Sequence, residues 1–255
     1  DPNVVVNDRW WASPDDVPAG SPALVRTFEY EAPDGILEGP WELCRGIGAS
    51  FCHNRAERGE HHLSGFDIVA LLTEVVAKGG HLLLNIGPAA DGTIPELQRQ
   101  PLLEAGAWIR AHQQLIDEAK PWDSWGGDGI RYLQLDDQVH AVDLTGRGRF
   151  AAITSDRYRV LAVERNGSPV GFHQLDDGLQ IESGRSALQR RTRPGRLDDI
   201  CVYRLIVVPV ERPVELFEPQ PRQPIALAPL VRDARPGDIV QLGNGTYTGP
   251  VTVPA

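Results

Sequence analysis

Three residues near the start of this 255-residue chain have side chains that together could bind and protonate a sugar. Arg9 follows a Val-rich run, Glu29 lies in the sequence Thr-Phe-Glu-Tyr, and Phe51 ends a glycine-containing loop, each beside a predicted strand. A guanidinium can donate to neighbouring hydroxyls, a carboxylic acid can protonate a leaving oxygen, and a ring can line the apolar side of a sugar. Glycoside hydrolysis uses two carboxyl groups, and the chain offers one convincing candidate.

Each candidate has a competing interpretation. Arg9 on its own would be a surface ion-pairing residue, Glu29 would be a solvated loop carboxylate, and Glu31 is the rival acid two residues further on. Glu42 and Arg45 lie in one predicted strand, where we expect them to form a structural ion pair.

Histidine and cysteine give little support for a metal or a thiol nucleophile. At His61 and His62 we expect a solvated loop and not a metal site. Cys52 and His53 are adjacent, and neighbours on an extended chain point to opposite faces, which disfavours a Cys–His pair. We therefore predict neither a metal nor a cofactor.

The composition disfavours several classes of partner. The formal net charge of -10 argues against nucleic acid and anionic membranes. No apolar run approaches the roughly 20 residues that a membrane-spanning helix needs. The chain has no Met and begins at Asp1, almost inside a strand-like run, so we expect further sequence upstream and see no signal peptide.

The pattern of residues 1–125 is typical of alternating strands and helices. Strands are predicted at Val4–Val6, Trp41–Ile47 and His81–Ile86. A helix is predicted over residues 63–78, with Ser64 as its N-cap and Gly79-Gly80 as its end. A second helical stretch is predicted over residues 95–116, with a short first turn and the main helix starting at Pro101. Such repetition fits a (β/α) barrel, and because a whole barrel needs about 250 residues, this region would be its second half.

The pattern changes after the last of the six tryptophans, which places a domain boundary near residues 125–127. Residues 129–216 contain short strands separated by turn residues, including an Asn166-Gly167 hairpin signal, and predict an antiparallel β-sandwich. Residues 217–255 read as a proline-rich linker and the start of a further domain. The predicted fold class is therefore α/β plus all-β.

Four stretches of the first region form specific motifs. They are Val-Asn-Asp-Arg-Trp (6–10), Thr-x-Glu-Tyr (27–30), Trp-Glu-x-x-Arg-Gly-Ile-Gly-x-Ser-Phe (41–51) and Lys-Gly-Gly-x-Leu-Leu-Leu-Asn-Ile-Gly-Pro-x-x-Asp-Gly-Thr-Ile-Pro-Glu (78–96). At these residues the chain resembles the α-L-fucosidases of glycoside hydrolase family 29, and the resemblance covers roughly residues 4–125. The tail from Ile225 to Ala255 resembles, more weakly, the start of a right-handed parallel β-helix.

The resemblance assigns roles to the three candidates. It implies that Glu29 is the general acid/base, that Arg9 contacts a fucose hydroxyl and that Phe51 lines the apolar side of the sugar. The family's nucleophile is an Asp in a Trp-Asn-Asp setting, which is not found in this sequence; Asp8 belongs to a later motif. The chain departs from the family at Cys52-His53, where Gly-Tyr is usual.

The resemblance implies a retaining exo-α-L-fucosidase that removes terminal L-fucose from a fucosylated glycan or oligosaccharide, here as a fragment without its nucleophile. A secreted or periplasmic location would follow from the family. Two alternatives remain: a non-catalytic carbohydrate-binding module, and the front part of a polysaccharide-lyase-like β-helix protein.

Overall fold

The computed structural model describes residues 5–10, 24–182 and 195–210, together with the strand residues 225–226 and 247–248. The chain divides into two compact units, residues 1–210 and residues 211–255. The first unit holds all the elements that position the candidate site.

A four-stranded parallel sheet opens the first unit, in the order β1-β2-β3-β4. Its strands are β1 (Val6–Asn7), β2 (Leu24–Glu29), β3 (Trp41–Gly46) and β4 (His81–Asn85), and every neighbouring pair is parallel. The parallel strands predicted at Trp41–Ile47 and His81–Ile86 are confirmed. The strand predicted at Val4–Val6 begins only at Val6, and β2 is an additional strand. Because all four strands run the same way, the residues that follow them meet at one edge of the sheet.

The helix between β3 and β4 is α1 (Gly65–Ala77). Ser64 caps it, accepting a hydrogen bond at 3.2 Å from the backbone N–H of Asp67, and the Asp67 carboxylate accepts one at 2.9 Å from the backbone N–H of Ser64. Gly79, with φ of 85°, follows the last turn in the left-handed conformation that glycine adopts without strain. The predicted start and end of this helix are confirmed.

Two further helices follow β4, namely α2 (Glu96–Ala111) and α3 (Gln113–Glu118). The prediction that the main helix starts at Pro101 is wrong, because α2 begins five residues earlier and runs through it. Proline removes one backbone donor, which would have bonded the carbonyl of Leu97. Leu97 lies in the first turn and is 47% exposed, so water can satisfy that carbonyl and the helix continues.

The second half of the unit consists of two antiparallel sheets. The order of the six-stranded sheet is β10-β9-β13-β7-β6-β5 and that of the three-stranded sheet is β11-β12-β8. The strands are β5 (Lys120–Gly127), β6 (Ile130–Leu135), β7 (Gln138–Asp143), β8 (Arg149–Phe150), β9 (Tyr158–Arg165), β10 (Ser168–Pro169), β11 (Phe172–Leu175), β12 (Gly178–Ile181) and β13 (Cys201–Pro209). Asn166 and Gly167 turn the chain between β9 and β10 with φ of 52° and 73°, as the hairpin signal predicts.

Three hydrophobic clusters connect these layers. One joins β3 to α1 through Trp41, Leu43 and Val75. A second packs α1 and α2 against the six-stranded sheet, and the third fills the space between the two antiparallel sheets. The helices therefore lie between the parallel sheet and the antiparallel region. None of the described helices is long and apolar enough to cross a membrane.

The chain is thus α/β followed by all-β, as the sequence predicts at that level. The predicted proline-rich linker and most of the β-helix-like tail lie outside the described residues. Within that tail the structure describes β14 (Ile225–Ala226) and β15 (Tyr247–Thr248), which pair in parallel.

Candidate functional site

Arg9 and Glu29 meet at the carboxyl edge of the parallel sheet. Arg9 lies in a single 3₁₀ turn, Asp8–Trp10, directly after β1, and Glu29 is the last residue of β2. The Asp8 carboxylate accepts a hydrogen bond from the backbone N–H of Thr27 at 3.1 Å, which holds this turn against β2. Arg9 Nη2 then lies 2.6 Å from Glu29 Oε1, and both side chains are about half exposed, at 47% and 48%.

Tyr30 brings a second loop beside this ion pair. Its φ of 60° is unusual for a residue with a Cβ, and it turns the chain sharply after Glu29. The Tyr30 hydroxyl donates to the carbonyl of Ala49 at 3.3 Å, and the Arg45 guanidinium lies 5.3 Å from the ring centroid. One residue after Glu29 is therefore attached to the loop that follows β3.

Phe51 is held on that loop from two sides. Its ring packs edge-on against Tyr30 with 5.4 Å between centroids. Its backbone carbonyl accepts a hydrogen bond from the Asn85 side chain at 2.5 Å, so the end of β4 also fixes its position. Phe51 remains 36% exposed, which leaves ring surface available to a ligand. The three predicted residues thus lie at the ends of three neighbouring strands: Arg9 after β1, Glu29 at the end of β2 and Phe51 in the loop after β3.

The structure separates the two candidate acids. Glu29 contacts Arg9, whereas Glu31 is exposed and its carboxylate has no ion-pair or hydrogen-bond partner among the described residues. The expected ion pair between Glu42 and Arg45 is wrong. Glu42 accepts a hydrogen bond from the Thr27 hydroxyl at 2.9 Å, while Arg45 donates to the carbonyl of Gly46 at 3.1 Å. Residues three apart in a strand point to opposite faces, so the two side chains cannot meet.

One face of the parallel sheet, here called the open face, presents mostly polar side chains. The strand register places nine side chains on it: Asn7, Val25, Thr27, Glu29, Glu42, Cys44, His81, Leu83 and Asn85. Leu83 is 50% exposed, so solvent reaches this face in the described part of the chain. The opposite face packs Trp41 and Leu43 on α1. The candidate acid lies at the carboxyl end of the open face.

Cys44 lies beside the ion pair but is poorly suited to act as a nucleophile. Burial raises the pKa of the Cys44 thiol; the nearby Arg9 charge lowers it, and Glu42 and Glu29 raise it further. The reactive thiolate is therefore disfavoured near neutral pH. Cys52, in contrast, is exposed on the loop after Phe51.

Gly87 lets the Phe51 loop approach the end of β4. A Cβ at this position would lie 2.7 Å from the backbone carbon of Cys52 and 2.7 Å from the backbone nitrogen of His53, too close for any side chain. The backbone N–H of Gly87 donates to the buried side chain of Gln98 at 2.9 Å. The loop therefore packs on backbone, and the Cys52 and His53 side chains remain exposed at the rim.

A buried polar cluster in the same loop was missed by sequence reasoning. Ser50, Glu57 and His62 contact one another, and the Glu57 and His62 side chains are each only 6% exposed. The expectation of a solvated loop is therefore wrong for His62. No sequence signal identifies the pairing, because the two residues are five apart on an irregular loop. Among the described residues, no group of three or more His, Cys, Asp and Glu side chains could hold a metal ion.

Comparison with known proteins relates this geometry to one family. The α-L-fucosidase family model matches residues 1–114. The α-L-fucosidase of Dictyostelium discoideum is 33% identical over 119 residues, which are 47% of this chain and 25% of that protein. Human plasma α-L-fucosidase is 34% identical over 122 residues, 48% of this chain and 26% of that protein. The chain thus spans about a quarter of the length of these curated relatives.

The structural similarity extends beyond the region matched by the family model. The Thermotoga maritima α-fucosidase, solved in complex with a mechanism-based inhibitor, superposes with a TM-score of 0.57 and 29% identity. The match covers 78% of this chain and 44% of that structure, so it reaches into the antiparallel region. The family model, the relatives and the solved structures agree in relating residues 1–114 of this chain to the α-L-fucosidases.

Proposed function

We propose that the natural protein containing this chain is a retaining exo-α-L-fucosidase that acts on fucosylated glycans, with Glu29 as its general acid/base. The observation that supports this most directly is the Arg9–Glu29 contact of 2.6 Å at the carboxyl edge of a parallel sheet, within the residues that the family model matches. Functional residues of (β/α) barrels lie at this edge.

We further propose that the parallel sheet is part of such a barrel. Parallel sheets are nearly always covered on both faces, whereas the open face here has polar side chains and an exposed Leu83. In the proposed barrel this face lines the interior, which places Glu29 at its mouth. A structure of the natural protein in which the open face still contacts bulk solvent would contradict this arrangement.

Each residue has a distinct part in the proposed reaction. Arg9 donates to sugar hydroxyls, Phe51 and Tyr30 form an apolar wall, and Glu29 protonates the leaving oxygen and later deprotonates water. A general acid must hold a proton, whereas the direct contact with a guanidinium suits an ionised carboxylate. We therefore propose that the bound sugar takes over the Arg9 donors and separates the pair.

The test is the natural protein with Glu29→Gln, compared with Glu31→Gln as the matched control. Loss of the general acid should lower kcat by about 10²–10⁴-fold for natural fucosides, which have poor leaving groups. The effect on the first step should be smaller for activated aryl α-L-fucosides, which need little protonation. Azide should then accelerate the second step, because it replaces the water that needs a base.

Glu31→Gln should retain wild-type kinetics. If Glu29→Gln hydrolyses natural fucosides at the wild-type rate, Glu29 has no part in the mechanism. If Glu31→Gln shows the loss instead, the acid/base role moves to that residue. A natural protein that binds fucose without hydrolysing any fucoside would favour the carbohydrate-binding alternative.

A further inference from the structure

The loop that carries Phe51 is connected to its own return segment by three polar side chains, and those of Glu57 and His62 are buried. The Ser50 hydroxyl lies 2.5 Å from Glu57 Oε1, and Glu57 Oε2 lies 3.3 Å from His62 Nε2. His62 Nδ1 lies 2.9 Å from the carbonyl oxygen of Arg58. Ser50 is the residue immediately before Phe51, so this cluster fixes the backbone at the base of the ring.

The hydrogen-bond partners determine where the protons lie. The Arg58 carbonyl can only accept, so Nδ1 of His62 carries a proton. Nε2 of His62 faces the Glu57 carboxylate at 3.3 Å, as an ion-pair contact when the imidazole is protonated. A side chain at position 57 that carries a donor would instead hydrogen-bond to Nε2 of a neutral imidazole.

The backbone of Gly48 packs closely against the cluster. A Cβ at Gly48 would overlap Oε2 of Glu57 and approach His62 Nε2 to 3.2 Å. With both side chains 6% exposed, water cannot replace the hydrogen bonds within the cluster. Together with the Tyr30–Ala49 and Asn85–Phe51 hydrogen bonds, the loop is thus held to β2, to β4 and to itself.

We propose that Glu57, acting through Ser50 and with His62, is a positioning residue that orients Phe51 toward the sugar held by Arg9 and Glu29. The proposal rests on the proposed fucosidase function. Glu57 itself does not touch the substrate. Its side chain is only 6% exposed, whereas Phe51 is 36% exposed and accessible to a ligand.

Two substitutions at one position separate positioning from direct chemistry. Glu57→Ala removes both the hydrogen bond from Ser50 and the contact with His62. Glu57→Gln keeps them, since its amide oxygen accepts from Ser50 and its amide nitrogen donates to neutral His62 Nε2. Asp67→Ala is the control, because it removes the α1 capping box next to this loop and lowers stability without touching the cluster.

The experiment measures kcat and KM for an aryl α-L-fucoside, and hydrogen–deuterium exchange over residues 47–63, in the natural protein. Glu57→Ala should lower kcat/KM by about tenfold to a hundredfold, the range expected when a contact group is misplaced by about 1 Å. It should also speed exchange in the loop. Glu57→Gln and Asp67→Ala should both keep wild-type kcat/KM and wild-type exchange in the loop.

The two readouts distinguish the possible failures. An equal loss of kcat/KM in Glu57→Gln and Glu57→Ala would overturn the proposal. The negative charge of Glu57, and not its contacts with Ser50 and His62, would then be what the reaction needs. A lower unfolding midpoint for Glu57→Ala with unchanged exchange or unchanged kcat/KM would also overturn it, since the role would be only structural. A wild-type protein that cleaves no fucoside would refute the proposed function, while the exchange comparison would still show whether Glu57 orders the loop.

Discussion

Two Arg–Glu ion pairs of nearly equal length lie in opposite surroundings in this molecule. Arg9 contacts Glu29 at 2.6 Å at the edge of the parallel sheet, with both side chains about half exposed. Arg131 contacts Glu74 at 2.7 Å between α1 and the six-stranded sheet, with side chains 12% and 24% exposed. One Arg–Glu pair therefore lies on a surface that a ligand can reach, and the other lies in a contact between two parts of the protein.

The surroundings explain what each pair can do. Glu74 also accepts a hydrogen bond from Lys78 at 2.6 Å, and both Lys78 and Arg131 lie over the ring of Trp125. This network joins the helix to the antiparallel region through several contacts to each group. The Arg9–Glu29 pair is exposed to solvent, so replacing either partner by a sugar hydroxyl costs little free energy.

The largest effect on stability is expected in the core between the two antiparallel sheets. Phe150 is fully buried there, edge-on to Tyr132 and Tyr203. Phe150→Ala should lower the free energy of unfolding by about 3–5 kcal/mol, because it leaves a cavity among large side chains. Chemical denaturation measures this change.

The matched control is Phe51→Ala, which removes the same side chain from the candidate site. It should change the free energy of unfolding by about 0.5 kcal/mol or less, because Phe51 is a partly exposed surface residue. Similar losses from the two substitutions would contradict the division into an open site and a packed scaffold.

A smaller effect is expected from the buried ion pair. Arg131→Ala should lower the free energy of unfolding by about 2–3 kcal/mol, slightly below the usual range for breaking a buried pair, because Lys78 still balances the Glu74 charge. Denaturation at neutral pH measures it. A loss below 0.5 kcal/mol, roughly the noise level of surface substitutions, would mean that this pair is as dispensable as an exposed one.

The same pair should make stability depend on pH. Burial alone would raise the pKa of Glu74, but the hydrogen bond from Lys78 and the charge of Arg131 outweigh it and hold the pKa below its usual value of 4.5. A carboxyl group whose pKa is lower in the folded state stabilises the fold above the unfolded pKa. That stabilisation is lost as the pH falls through the folded pKa.

The measurement compares wild type with Glu74→Gln from pH 7 to pH 3. The difference in unfolding free energy should be constant above about pH 5 and shrink below the usual Glu pKa of 4.5. A difference that does not change over this range would remove Glu74 ionisation from the stability of the helix contact.

Sequence reasoning succeeded where a local pattern fixes the structure. The α1 helix follows from the Ser64 cap and the Gly79 stop, and the meeting of Arg9 with Glu29 follows from parallel strands whose ends share an edge. The roles of Arg9, Glu29 and Phe51 stay predictions, as do the division at residues 125–129 and the sandwich boundary at residue 216.

It failed where contacts depend on geometry that the pattern does not encode. The Glu57–His62 contact depends on the path of an irregular loop, so the residue types alone gave no indication of burial. Side chains alternate between the two faces of a strand, so the sequence itself argues against the predicted Glu42–Arg45 ion pair. Helix α2 continues through Pro101 because its first turn is exposed. The general tendency of proline to begin or break a helix does not take that exposure into account.

The smallest expected effect on stability belongs to Arg9, and it completes the comparison. Arg9→Ala should change the free energy of unfolding by less than about 1 kcal/mol, because exposed ion pairs contribute little in water. The same substitution in the natural protein should raise KM for an aryl α-L-fucoside, because the guanidinium donors to the sugar are lost. Arg9→Lys keeps the charge but not the planar fork, so it should recover stability and only part of the affinity. If Arg9→Ala loses as much stability as Arg131→Ala, the Arg9–Glu29 pair is structural too. The proposal that this pair serves to bind a ligand at the edge of the sheet would then fail.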